Sequence, residues 1–336
     1  MASSLSFPRA TFAKLSPHPF LLANLNPTSP DSPPTRTNGR APHQARAPQV
    51  NVSSLSHAHG SAIVRVGDTT VICGVRGEAL PVSSIPQYRP RPAHEEKEGN
   101  GNEEEEAERL RAYDLLVPNI ELATGCAPQF LPGVPPTTAA QTLSTRVYEL
   151  LHSCHVLRER DLRIWYTPPE GLGGDDDGSR PEVMAYWTLY IDLLFISFDG
   201  NPFDAAWAAV LAALRDTKLP AAWWDAEREG VVCSRTESRA LDVSGLPIAC
   251  SAAVFLEKEQ ALSAGDEGKH WVLVDPDRVE ESLCQERITM VVDRSSGETR
   301  VRGLSKAGGT VLGPVLVREF ARLAERRWEE FRGAMG

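Results

Sequence analysis

The run Tyr190–Leu219, YIDLLFISFDGNPFDAAWAAVLAALRDTKL, decides how the rest of the chain is read. Its beginning belongs to a longer stretch, Met184–Phe198, that is apolar almost throughout. Such a run predicts a strand buried on both faces of a sheet. Asp199-Gly200 ends the strand, Asn201-Pro202-Phe203-Asp204 makes a turn, and an Ala-rich helix follows. Asn201 or Asp204 is suited to cap that helix. The helix's small side chains permit close packing on the sheet.

Working outward, Val50, Val52 and Leu55 read as one strand, Gly60–Val66 as a second and Thr69–Val75 as a third. Gly67-Asp68 is the hairpin turn between the last two. Residues 81–112 read as a loop. Pro81, Pro86, Pro90 and Pro92 exclude regular structure from its first half. Its Glu-rich second half reads as solvated, with a few helical turns at most over Glu103–Arg111 and nothing there to pack. Residues 113–123 return as a strand carrying Leu115, Val117, Ile120 and Leu122. Leu143, Val147, Leu150, Leu151 and Cys154 recur at helical spacing within 137–157. A strand follows at Leu162–Tyr166, then an exposed Pro-, Gly- and Asp-rich loop to Gly178. Further strands are expected at Leu246–Leu256, His270–Val274, Arg287–Asp293 and Glu298–Gly303, the last two joined through Ser295-Ser296-Gly297. A final helix is expected at Leu312–Phe331. The fold class is α+β (α/β).

The chain has 336 residues, 41% of them hydrophobic, enough for one large domain or two small ones with an ample core. Its net charge of −10 is unevenly spread: residues 95–108 carry −7 and residues 170–179 carry −4, which leaves the remainder at +1. A chain that grips RNA alone usually shows a basic face, and none is evident. The six cysteines, Cys73, Cys126, Cys154, Cys233, Cys250 and Cys284, form no CxxC pair and read as reduced, buried thiols of an intracellular protein. No apolar run reaches the ~18 residues of a membrane span. Residues 1–30 contain no acid, two bases and many Ser and Pro, the composition of an organelle transit peptide. The competing reading is an extended arm over 1–34 with a short helix near Phe12–Leu25.

Several stretches together resemble the RNase PH family, the phosphate-dependent 3′ exoribonucleases and the ring subunits of the RNA exosome. They are the turn Arg36-Thr37-Asn38-Gly39-Arg40, the hairpin GSAIVRVGDTTVICGV over Gly60–Val75, and the Asp199-Gly200 turn with its helix. Asp275-Pro276 with Glu280-Glu281, and Gly308-Gly309 before the last helix, add to them. The resemblance covers residues 35–332. It implies an RNase PH-like fold (ribosomal protein S5 domain 2-like) of two β-rich halves with packed helices. That makes one domain over 35–336, with an acidic disordered loop inserted at 84–111.

Active members of that family carry Asp-Gly-Gly-Thr/Ser-Arg at the turn, where it cradles phosphate. Phosphorolysis needs the cradle, because amides at a helix N-terminus and an Arg must hold a dianion against the negative RNA backbone. It also needs carboxylates to hold a metal or move a proton. Here Asn201, Pro202, Phe203 and Asp204 fill the turn. Proline removes an amide donor, Phe203 brings no charge, and Asp204 opposes a dianion by roughly 1–4 kcal/mol at short range. Asp275 and Glu281 fall where active relatives carry two catalytic acids. The six residues therefore read as a degenerate site, with Asn201 and Asp204 as helix caps and Asp275 and Glu281 as inherited structure.

The resemblance then implies a non-catalytic ring subunit with no cofactor, serving 3′-to-5′ RNA processing and degradation, including rRNA maturation and mRNA decay. Its partners would be other RNase PH-like subunits in a six-membered hetero-ring, RNA-binding cap subunits, a hydrolytic exoribonuclease and single-stranded RNA in the channel. Its setting would be nucleus, nucleolus and cytoplasm, with no membrane. One alternative is an active phosphate-dependent exoribonuclease using Asp275 and Glu281 with Mg²⁺. Another is a regulatory interaction protein that binds through its Glu-rich loop.

Other side chains invite functional readings. Tyr88, Arg89 and Arg91 form a set able to stack on and pair with single-stranded RNA, or an ordinary solvated loop. His152 and His155, three apart on a helix, would share a face, but no second ligand pair has zinc-site spacing. His57 and His59 would share a strand face.

Overall fold

The computed structural model describes residues 8–27, 32–90, 103–131, 137–168, 181–257, 269–284, 286–308 and 313–336. In chain order they form α1 (Arg9–Leu15), α2 (Pro17–Leu25), β1 (Pro48–Val52), β2 (Gly60–Val66), β3 (Thr69–Pro81), α3 (Glu103–Ala112), β4 (Leu116–Leu122), α4 (Thr138–Ser153), β5 (Arg163–Tyr166) and β6 (Glu182–Ser197). Then come α5 (Pro202–Asp216), β7 (Lys218–Asp225), β8 (Gly230–Ala240), β9 (Ile248–Leu256), β10 (His270–Val274), α6 (Arg278–Leu283), β11 (Glu286–Asp293), β12 (Arg300–Ala307) and α7 (Pro314–Met335). The chain splits into two compact units, each with its own sheet and core.

The larger unit comprises residues 49–197 and 205–246. Its sheet runs β1-β2-β3-β6-β4, with β5 also paired to β6. The β2–β3 hairpin closes where expected, pairing Val66 with Thr69 around Gly67, whose φ of 60° suits glycine. The expectation that β6 is buried on both faces holds only for Ala185–Leu189. Beyond it the strand alternates, leaving Asp192, Leu194 and Ile196 exposed. Helix α5 is buried all round from Ala205 to Leu214, as an apolar helix without a polar face must be. A Cβ at Gly60 would stand 2.3 Å from Thr217 Oγ1 and 2.6 Å from the Ala213 carbonyl, so only glycine lets β2 approach the end of α5 this closely.

Residues 81–112 depart from the expected loop. β3 continues to Pro81, and the Glu-rich stretch forms α3. That helix does pack, on the 3₁₀ turn Glu159–Leu162 and on α4. Glu106 and Leu110, one turn apart, are buried on one face, and the negative charge of Glu106 acts on the Arg163 guanidinium. Residues 91–102 and the loop over 170–179 lie outside the described residues. The β7–β8 hairpin has no counterpart in the sequence reading.

The smaller unit comprises residues 1–48, 198–204 and 247–333. Its antiparallel sheet runs β10-β9-β11-β12. Over Arg9–Leu25 the chain forms two helices, α1 and α2, where the sequence predicts one short helix. Ser16 and Pro17 open α2, with proline in the first turn where it is tolerated. Leu21 and Leu25 then join Ala253, Phe255, Leu273 and Cys284 in one apolar core. His18 packs 4.6 Å from the Phe255 ring and bonds the Leu256 carbonyl at 3.1 Å. The arm folds because β9 and β10 present an apolar face that these side chains cover. Among the described residues, no helix is long and apolar enough to cross a membrane.

Leu21 is fully buried, so Leu21→Ala is expected to destabilise the protein by about 2–5 kcal/mol in chemical denaturation. An extended arm would lose less than ~0.5 kcal/mol on the same change.

Candidate functional site

The turn after β6 and the segment after β10 meet within the smaller unit. Gly200, at φ 81°, permits the meeting: a Cβ there would stand 2.4 Å from the Asp277 carbonyl carbon and 2.6 Å from the Pro276 carbonyl oxygen. Asn201 follows at φ 48°, a left-handed conformation that asparagine tolerates better than most residues. It does not act as a simple cap. Its Nδ2 donates to Asp275 Oδ1 at 2.8 Å and to Asp204 Oδ2 at 2.9 Å, while its backbone N–H donates to Glu281 Oε1 at 3.1 Å. Asp204 likewise turns to β9, accepting from the Ser251 N–H at 2.8 Å and its hydroxyl at 2.7 Å. Phe203 is buried. An amide at the start of α5 that could have held an outside anion thus holds the chain's own carboxylate.

Asp275 is fully buried and left-handed, at φ 52°. Arg46 grips its carboxylate with both arms, Nε to Oδ2 at 2.8 Å and Nη2 to Oδ1 at 2.8 Å, and adds its backbone N–H to Oδ2 at 2.9 Å. Burial alone would raise this carboxyl. The Arg46 hydrogen bonds and charge, with the charge of Arg327 and the Asn201 amide, instead hold it down to about 2. Arg46 also reaches the Asp199 carbonyl at 2.8 Å, tying the two segments together. Glu281 differs: burial raises its carboxyl, and Arg287 at 3.8 Å offsets only part of that.

Behind Asp275 lies a second ion pair. Glu280 closes a capping box with Asp277 at the start of α6, accepting from the Asp277 N–H at 2.9 Å. Its carboxylate also takes both arms of Arg36. Arg36 further donates to the carbonyls of Val274 at 2.7 Å, Asp275 at 3.2 Å and Gln44 at 3.2 Å. Its position comes from the turn quoted above, where Gly39 at φ 85° returns Arg40 to the Arg36 N–H. Arg40 completes the set, donating to the Asp275 carbonyl at 3.1 Å. The sequence signalled Arg36 and Arg40 as a turn without a role. Nothing in it signalled Arg46 or singled out Glu280 from its neighbour.

The remaining candidates do not gather here. Tyr88 points inward, its ring 6.0 Å from Tyr113 and 6.5 Å from Tyr186, and the Arg89 N–H bonds the Tyr113 hydroxyl at 3.2 Å. Tyr88 is therefore a brace at the base of its loop and not a free stacking platform. Arg89 is exposed, and Arg91 lies outside the described residues. His152 is buried against Tyr148, its imidazole pushed down to about 4 by burial and then by Arg111. His155 lies beyond the end of α4 at φ 51°, so the two histidines share no helical face. His59 accepts from the Gly77 N–H at 2.9 Å, a structural bond. Among the described residues, no group of three His, Cys, Asp or Glu could hold a metal ion.

Residues 44–220, just over half of the chain, match the RNase PH family, described as the 3′ exoribonuclease family, domain 1. The chain is 29% identical over 325 residues to the exosome complex component rrp43 of Schizosaccharomyces pombe, covering 96% of this chain and 97% of that protein. It is 29% identical over 260 residues to the exosome complex component Rrp42 of Methanothermobacter thermautotrophicus, covering 76% of this chain and 74% of that protein. Among solved structures, a chain of the Archaeoglobus fulgidus exosome with RNA bound to the active site aligns with TM-score 0.62 and 23% identity, covering 95% of this chain and 97% of that one. This last likeness is one of fold, and the fold is RNase PH-like.

Arg46→Ala takes the bidentate partner from buried Asp275 and leaves it Arg40 at 3.5 Å, so a loss of about 3–5 kcal/mol is expected in urea denaturation. The folded pKa of Asp275 lies below its unfolded value, so its contribution is fully present above pH ~4 and lost as pH falls through about 2. Acid titration of wild type against Arg46→Ala will show the wild type alone losing stability in that window from this group.

Proposed function

The chain belongs to the RNase PH 3′ exoribonuclease family, and on that premise we propose that it is a non-catalytic ring subunit of an RNA exosome. In that role it supports 3′-to-5′ RNA processing and degradation, with rRNA maturation and mRNA decay among the substrates. Two curated relatives named as exosome components support the assembly, one of them matching almost end to end. The observation that carries the inactive reading is the bond from the Asn201 amide to Glu281, with Asp275 gripped by Arg46 beside it. A phosphate ion at this turn would have to displace Glu281. A metal ion on Asp275 would have to displace Arg46, breaking the bidentate half of its pairing and leaving it only Asp199. Pro202 has no amide hydrogen and Phe203 no charge to offer in exchange.

On this reading the protein completes a ring of related subunits and guides single-stranded RNA through it, while cap subunits and a separate hydrolytic exoribonuclease supply binding and cleavage. Nucleus, nucleolus and cytoplasm are the compartments in which it would work. The isolated chain, given 3′-labelled single-stranded RNA, Mg²⁺ and phosphate, is expected to release no nucleoside diphosphate above the buffer control. Phosphate-dependent release that Glu281→Gln abolishes would establish the phosphorolytic alternative instead. A tagged copy recovered from its own cells should bring related RNase PH-like subunits in near-equal amounts, and recovery of the chain alone would defeat the ring assignment.

A further inference from the structure

The sheet of the smaller unit treats its two edges oppositely. At the β10 edge, the Val274 N–H donates to the Pro42 carbonyl at 3.0 Å and the Val274 carbonyl takes Arg36 Nη1 at 2.7 Å. Val272, Leu273 and Val274 are buried there. The opposite edge, β12, pairs with β11 alone. Among the described residues, no backbone hydrogen bond joins Arg300–Ala307 to any other element. Every residue of β12 is exposed except Gly303, which is half-buried. Val301 and Leu304 are each 55% exposed.

The strand, RVRGLSKA, carries Arg300, Arg302 and Lys306 and no acid. The register skips Arg302 between the Val291 and Val292 pairings, so this residue bulges out of the ladder, with Asp293 3.8 Å from its guanidinium. Charges and a bulge guard an edge against its own kind, because two like-charged copies repel. They do not guard it against a strand of opposite charge. No aromatic side chain lies on β12 to stack a base. The α7 carboxylates Glu325 and Glu329, bonded to Thr299 and Arg294 on the same hairpin, oppose a polyanionic backbone nearby.

We propose that the open edge of β12, over Gly303–Ala307, takes up an extended acidic segment of a partner protein as an added antiparallel strand. Main-chain hydrogen bonds would supply the affinity, Leu304 an apolar contact, and Arg300 and Lys306 the charge selection. This site is independent of the Asn201–Asp275 turn and does not rest on its being inactive.

The probe is an eight-residue peptide of alternating Glu and Val with blocked ends, titrated into the full-length chain at moderate salt. Binding should slow amide exchange across Gly303–Ala307, and Arg300→Glu with Lys306→Glu should weaken it at least tenfold. Both side chains are exposed, so the fold is expected to survive, which denaturation of the variant checks. An alternating Lys and Val peptide should not bind. Exchange on β12 left unchanged by the acidic peptide, or equal binding by the charge-reversed variant, overturns the proposal. So does oligouridylate protecting β12 where the acidic peptide does not.

Discussion

The smaller unit depends on the neutralisation of two buried acids by arginines from far away in sequence. Asp275 and Glu280 lie at the end of β10 and in α6, while Arg36, Arg40 and Arg46 precede β1. Taking an ion out of water costs several kcal/mol even after relaxation, so each acid depends on the cations held against it. Buried pairs of this kind add little net stability over a well-packed apolar alternative. Their effect is conditional: the segment after β10 keeps its left-handed Asp275 only while residues 36–46 lie against it. The same arginines satisfy the carbonyls of Val274 and Asp275, which the left-handed turn leaves without ladder partners. Cores and caps elsewhere in the unit could be exchanged piecemeal, but this arrangement forms or fails as a set.

That condition also governs the chemistry. A carboxylate that serves a metal or a proton must have lone pairs to give. Asp275 gives its own to Arg46 and Asn201, and Glu281 turns one oxygen to the amide that an anion would need. Burial raises the Glu281 carboxyl, and Arg287 and the Asn201 N–H offset only part of that rise. Retained acids are therefore poor witnesses to retained activity. At the turn itself Pro202 has no amide hydrogen, Phe203 carries no charge, and Glu281 takes the Asn201 N–H.

The fold was legible where one signal dominated. The β2–β3 hairpin, the apolar β6 and the Ala-rich α5 each announce themselves by period or composition within a dozen residues. A helix near Phe12–Leu25 was legible, but the burial of Leu21 and Leu25 on α2 was not, because the sheet they cover lies more than 200 residues later. Helix α3 was hidden for a related reason. Its Glu run looks solvated, yet Glu106 lies under the influence of Arg163, a residue no local window contains. The candidate site divides in the same way. The Asp-Gly turn and the pair of acids were readable as motifs. Arg46 was not, since it and Asp275 are separated by 229 positions and nothing marks it locally.

The segment that neutralises the acids has a second consequence for the sheet it touches. By bonding Val274 on both its N–H and its carbonyl, residues 36–42 cover that end of the β10 edge, while β12 pairs with β11 alone. A sheet with two open edges can polymerise, because each added strand or copy exposes another edge. With the Val274 end of β10 covered, two copies meeting through β12 would form a closed pair and not a chain of copies. The basic residues on β12 then choose the occupant by charge, repelling a second β12 and admitting an acidic chain. Arg36, which bonds the Val274 carbonyl, also holds Glu280, so the segment that covers this end of the edge is one that neutralises a buried acid.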